Sequence, residues 1–220
     1  MKILLDIGRN AALFGALLLS SAAGAGPPPS QAPPQPSPQE VTLYLGQGAD
    51  TDLPDLPGKA ARGTLQFDQT WFTGAGFAYP DVPAAGVRTA LGWVGLQNSS
   101  SAKELVIVKH SGKQSHVEWG ALYLLRTPYA ALGPVRLRAG AGIGFSYAWG
   151  RPSYEDGPLD EPDRRYKLQN FDAYELETGI AAWPRLAFVG RVHHRSGAYG
   201  LIAPRNVGSN FLTVSLRYAF

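Results

Sequence analysis

The sequence predicts an all-β fold, an eight-stranded antiparallel β-barrel built to cross a membrane. Three observations carry that expectation. Apolar and polar residues alternate in run after run, the chain opens on a short apolar segment of export type, and it ends on an aromatic, Phe220. Side chains on a strand point to opposite faces in turn, so dyad alternation marks a sheet with two different environments.

The chain has 220 residues, of which 17% are charged, and it has no cysteine. That length suits one sizeable domain. Without cysteine there is no disulfide framework, thiolate nucleophile or cysteine metal site. A formal net charge of +3 with no run of Lys or Arg gives no support to nucleic-acid binding.

Residues 1–25 read as a signal peptide. Lys2 and Arg9 supply a basic start, residues 11–19 an apolar core, and Ala23-Gly24-Ala25 a small-x-small cleavage site. The apolar run falls short of the roughly 20 residues a transmembrane helix needs. Residues 26–40, dense in Pro, Gln and Ser, favour extended polyproline II over a packed core and read as a disordered tether. The barrel is expected over 41–220.

Nine segments are strand candidates: 41–49, 62–74, 86–97, 103–110, 116–126, 135–149, 168–182, 185–196 and 210–220. Bacterial barrels carry even numbers of strands, which selects eight and leaves 86–97 or 103–110 to be dropped. The segment 135–149 shows the pattern most fully. Val135, Leu137, Ala139, Ala141, Ile143, Phe145, Tyr147 and Trp149 form an apolar list ending in aromatics. Against them stand Arg136, Arg138, Gly140, Gly142, Gly144, Ser146 and Ala148. A soluble sandwich also alternates. Here, however, the polar face mixes charge with tiny residues, as a narrow lumen requires, and the apolar face ends in aromatics, as a lipid-facing band does. Several runs reach the roughly 9–11 residues a tilted transmembrane strand needs. Pro184 fits a short periplasmic turn, and residues 150–167 fit a long external loop.

Residues 185–197, RLAFVGRVHHRSG, pose a particular question. The apolar list Leu186, Phe188, Gly190, Val192 continues into His194 and Ser196. The last strand must end in the periplasm, so the strand before it rises outward. His194 and Ser196 then face lipid at the height of the outer leaflet. Residues two apart lie about 6–7 Å apart on one face, within reach of an imidazole–hydroxyl contact. A serine needs such a base, itself oriented by a third group. Extending the lipid-facing list of the last strand back from Leu212 reaches Asn210.

HHRSG, followed by a loop and an aromatic-ended final strand, resembles the lipid A 3-O-deacylase (PagL) family with its His-x-Ser motif. VIVKHSGKQSHVEWG (106–120) and residues 191–220 also resemble PagL-like acyloxyacyl hydrolases. The resemblance implies an eight-stranded outer-membrane barrel that removes an ester-linked acyl chain from lipid A, with His194 as base and Ser196 as nucleophile. Two positions differ from the family. Gly197 stands where the family has an oxyanion-hole Asn, and Asn210 matches its third member, Glu.

The other polar residues have plainer readings. His193 points to the lumen with Arg191 and Arg195. Glu118, Glu175, Glu177, Arg136, Arg138, Arg191 and Arg217 read as a buried ion-pair network that fills a small barrel and leaves no pore. His110 and His116 lack a third ligand at metal spacing and read as loop or lumen hydrogen-bonding groups. The glycines near 140 open no helix and are not a phosphate loop. The expected function is therefore a serine esterase acting on lipid A, in lipopolysaccharide, or a related outer-leaflet lipid, needing no metal or cofactor. The alternative is a non-catalytic barrel with a structural or adhesive role. Whether it is a monomer or a homodimer stays open.

Overall fold

The computed structural model describes residues 38–220, so the signal-peptide expectation and most of the Pro-rich one lie outside the described residues. The strands are β1 (Glu40–Ala49), β2 (Phe67–Asp81), β3 (Ser100–Gly112), β4 (Val117–Arg126), β5 (Ala130–Leu132), β6 (Val135–Trp149), β7 (Leu168–Ile180), β8 (Leu186–Ser196) and β9 (Gly208–Ala219). Every pairing is antiparallel. β1 joins β9, and β4 joins β6, which closes an eight-stranded barrel. β5 is a three-residue addition that pairs with the start of β6.

Of the nine candidates, 103–110 is a strand and 86–97 is not. Residues Ala85–Trp93 form a helix, α1, in the connection between β2 and β3. Its apolar residues Val87 and Leu91 recur four apart, a helical interval that an alternating reading overlooks. In 103–110 both faces carry apolar residues, Leu105 and Ile107 outside and Val106 and Val108 inside, which blurs the alternation. β2 runs on to Asp81, well past 74. Gly74-Ala75-Gly76 resembles a turn in sequence, yet a Cβ at Gly74 would lie 2.2 Å from the Ile107 carbonyl oxygen. The glycine marks close strand approach, not a bend.

The outside of the barrel is an apolar band. Leu43, Leu45, Leu105, Ile107, Ile143, Phe145, Leu176, Phe188 and Val214 are all exposed. Trp71, Trp119, Tyr147 and Trp149 gird one end, and Tyr79, Trp183, Tyr218 and Phe220 the other. Trp119 and Trp149 stack with ring planes 4° apart, and Tyr218 stacks on Phe220. Such a surface is stable in hydrocarbon with interfacial aromatic belts, and the fold is an outer-membrane-type barrel. The end carrying Phe220 is termed the inner rim and the opposite end the outer rim.

The lumen is filled in layers. Near the inner rim, Glu40, Glu104, Glu175 and Glu177 face Arg126, Arg138, Arg191 and Arg217, in number four against four. Arg126 Nη1 meets Glu40 Oε2 at 2.7 Å, and Arg217 Nη2 meets Glu175 Oε1 at 2.7 Å. Arg136 does not join this network. Its guanidinium donates to the Pro184 carbonyl and lies over the Tyr129 ring. Above the ions sit Phe72, Phe171 and Phe211. Small residues make room for them: a Cβ on Gly46 would come within 2.7 Å of the Phe72 ring, and one on Gly120 within 2.8 Å of Phe171. The loop 150–167 folds over the outer mouth, pairing Asp156 with Gly208 and burying Glu155.

Candidate active site

All four histidines of the chain gather toward the outer rim, His110, His116 and His193 inside the barrel and His194 on its outer face. β8 sets His193 into the lumen and His194 outward, because consecutive residues alternate faces. Around His194 the register is decisive: Asp172 on β7 and Asn210 on β9 are its two cross-strand partners. One step outward, Ser196 pairs with Asn170 and with Gly208. The outward wall therefore carries Asp172, His194 and Asn210 in one row, with Asn170 and Ser196 in the next.

The Asn210 amide determines which imidazole nitrogen holds the proton. Its Nδ2 donates to the Thr51 carbonyl at 2.8 Å, and a carbonyl can only accept. Oδ1 is then left facing His194 Nδ1 at 2.7 Å, so Nδ1 must be the donor and Nε2 carries the lone pair. The carboxylates of Asp172 and of Asp52 both act electrostatically on the imidazole. Asn170 Nδ2 donates to Asp172 Oδ2 at 2.7 Å and holds that carboxylate in place. Asn170 and Asn210 are buried under the outer loops, whereas Asp172, His194 and Ser196 remain partly open.

Ser196 lies on the predicted face and at the predicted interval. Its Oγ accepts from the Ala198 N–H at 3.4 Å, and among the described residues it makes no hydrogen bond to His194. Gly197 begins a tight loop whose carbonyls crowd it. A Cβ there would lie 2.2 Å from Pro204 O and 2.3 Å from Ala203 O. No side chain fits at 197 without moving that loop, so glycine is a steric requirement. The sequence reading missed Asp172 and Asn170. The rule that reached Asn210 would have found them, since the apolar list Leu176, Tyr174 continues backward into Asp172 and Asn170.

On the lumen side, His193 Nε2 lies 3.0 Å from Glu118 Oε1, and His110 Nε2 lies 2.9 Å from Glu118 Oε2. Gln114 Nε2 lies 2.9 Å from His110 Nδ1. Arg195 pairs with Glu155, donates to Ser146 and to the Lys167 carbonyl, and reaches Glu118 only at 3.7 Å. Burial pushes Glu155, in the outer loop, up to about 7, against the opposing pull of Arg195.

No protein-family model and no curated protein matches the sequence. Among solved structures, the chain is similar to the outer membrane enzyme PagL at 12% identity, with TM-score 0.49, covering 82% of this chain and 99% of that one. It is also similar to Neisserial surface protein A (NspA), at 11% identity and TM-score 0.46 over 83% and 97% of the two chains. A third is Ail, the attachment invasion locus protein of Yersinia pestis, at 10% identity and TM-score 0.25 over 84% and 100%. The three carry different names, an enzyme, a surface protein and an attachment invasion locus protein.

Proposed function

We propose that the chain is an outer-membrane serine esterase that removes an ester-linked acyl chain from a lipid of the outer leaflet, lipid A foremost. The observation that carries this reading is the row Asp172–His194–Asn210, which opens on the lipid-facing wall at the outer rim. An ester presented at the membrane boundary reaches that wall without entering the filled lumen.

The chemistry follows from the tautomer. His194 Nε2, the free lone pair, takes the Ser196 proton as Oγ attacks the ester carbonyl. The proton then passes from Nε2 to the departing sugar or glycerol oxygen, leaving an acyl-serine. Water attacks the acyl-serine by the same route in reverse, releasing the fatty acid and restoring Ser196. Asn210 fixes the ring orientation. Asp172 supplies the negative charge that steadies the imidazolium, a charge the Asn amide lacks. The Gly197 N–H and the second N–H of the Asn170 amide are the donors proposed for the oxyanion. For Ser196 to act, its hydroxyl must turn from the Ala198 amide toward His194.

A second reading, a non-catalytic barrel, is favoured by that same Ser196–Ala198 bond. Mass spectrometry of lipid A from cells expressing the inserted protein separates the two. Loss of one acyl chain in wild type, and none in Ser196→Ala, supports the esterase. Intact acylation with correctly folded wild type ends it, provided phospholipid species are also unchanged.

A further inference from the structure

The lumen cluster at the outer rim has a feature that the esterase scheme does not use. His116 is only 2% exposed, and neither of its ring nitrogens has a hydrogen-bond partner among the described residues. A buried polar group without a partner costs about 1–3 kcal/mol, so such a group normally answers to something. His116 stacks on His110 with centroids 4.3 Å apart, and ligating atoms of His110, His116 and Glu118 all lie within 4.8 Å of one another. Gly150 packs against it, where a Cβ would come 2.8 Å from His116 Cβ, so the hairpin turn is pinned over the lumen.

The charge around Glu118 points the same way. Arg195, the cation within reach, is engaged at closer range by Glu155, Ser146 and Lys167. Glu118 is otherwise surrounded by imidazoles, a buried carboxylate with room for positive charge beside it.

We infer that His110, His116 and Glu118 form a binding site for a borderline divalent cation, Zn2+ or a close relative, inside the outer end of the barrel. Two imidazoles and a carboxylate suit such an ion, with a fourth position left for water. Donor atoms bound at roughly 2.0–2.2 Å stand about 3.4 Å apart, so the wider pairs close by an ångström or so through side-chain rotation. His193, held on Glu118 Oε1, orients the carboxylate from behind. Binding through His110 Nε2 moves that ring's proton to Nδ1, and the Gln114 amide turns over to accept it. The sequence spacing offers His110 and His116 no third ligand, whereas the fold brings Glu118, which pairs with His110 and His193, into the same group. The metal site is independent of the esterase.

The test uses the full chain without a histidine tag, refolded in detergent, stripped with a chelator and dialysed against micromolar Zn2+. Elemental analysis is expected to find one zinc per barrel in wild type, in His194→Ala and in Ser196→Ala. His116→Gln, which keeps a polar side chain of similar length, is expected to lose at least about tenfold in affinity. Wild type that retains no zinc above a buffer blank overturns the proposal, as does His116→Gln that binds as tightly as wild type. Should His116→Gln lack the heat-modifiable folded band, Co2+ loaded into wild type decides. The visible absorption of a four-coordinate cobalt centre supports the site, and its absence ends the idea.

Discussion

His193 and His194 are neighbours in the chain and opposites in setting. His193 is fully enclosed, ring against Phe171 and Phe72, its Nε2 on a buried carboxylate. His194 looks outward, with its Nδ1 held by a neutral amide, its Nε2 lone pair free and a partly open surface. One residue of strand alternation separates an enclosed imidazole from the one proposed as the base. The same division runs through the inner part of the barrel, where the lumen pairs Glu40, Glu104, Glu175 and Glu177 with arginines, while the outer row carries no ion pair to an arginine or lysine among the described residues.

Substituting the two histidines in turn puts that division to its hardest test. His194→Ala is expected to drop acyl release by about 10³ or more, to background, with the barrel intact. His193→Ala is expected to keep release and instead lose about 1–3 kcal/mol of stability, because Glu118 Oε1 loses its closest donor. Lipid mass spectrometry and urea unfolding in vesicles read the two effects, and the reverse pattern would sink the assignment.

The inner network sharpens the contrast. Glu175 accepts from Arg191 and Arg217, which keep Glu104 and Glu177 as their remaining partners, so Glu175→Ala leaves the buried network one negative charge short. The expected cost is about 3–5 kcal/mol, measured as a lower urea midpoint, with no change in acyl release per folded barrel.

The outer mouth adds a pH dependence. Glu155 is raised from the ordinary glutamate value of 4.5 to about 7, chiefly by burial, in a setting shared with Arg195, Glu118, Gln169 and Ser209. A carboxyl raised on folding binds protons as the chain folds. Its contribution is fully present below the ordinary value and is lost as pH climbs toward 7. A shift of that size is worth up to about 3 kcal/mol. Stability should therefore fall between roughly pH 4.5 and 7, and Glu155→Gln should flatten the slope in unfolding curves taken across that window.

Finer still is the division of labour beside His194. Asn210→Ala removes the acceptor that fixes the tautomer and should slow release by roughly 10². Asp172→Asn keeps the packing and removes only charge, so about tenfold is expected, the equivalent of about 1.4 kcal/mol. Equal losses in the two variants would show that Asp172 also orients the ring. An unaffected Asp172→Asn would remove it from the site.

Much of this was legible in the residues themselves. A period of two is a local property, so the lipid face, the lumen face and the bounds Val135–Trp149 followed from alternation alone. His194, Ser196 and Asn210 fell on the outward list for the same reason. Where both faces of a strand are apolar, as in 103–110, or where four-residue spacing mimics alternation, as in 86–97, the period loses its meaning, and only pairing separated strand from helix. Asp172 could have been placed on the outward face from sequence, but not beside His194. That adjacency is a matter of register, the sliding of one strand against the next, which depends on barrel closure and on turns such as the one at 181–185. The tautomer of His194 needed Thr51, 159 positions away from Asn210 in the chain. The union of His110, His116 and Glu118 with His193 needed β3, β4 and β8 to share one lumen. Face is determined by each residue and its nearest neighbours. Partnership across strands is decided only when the barrel closes.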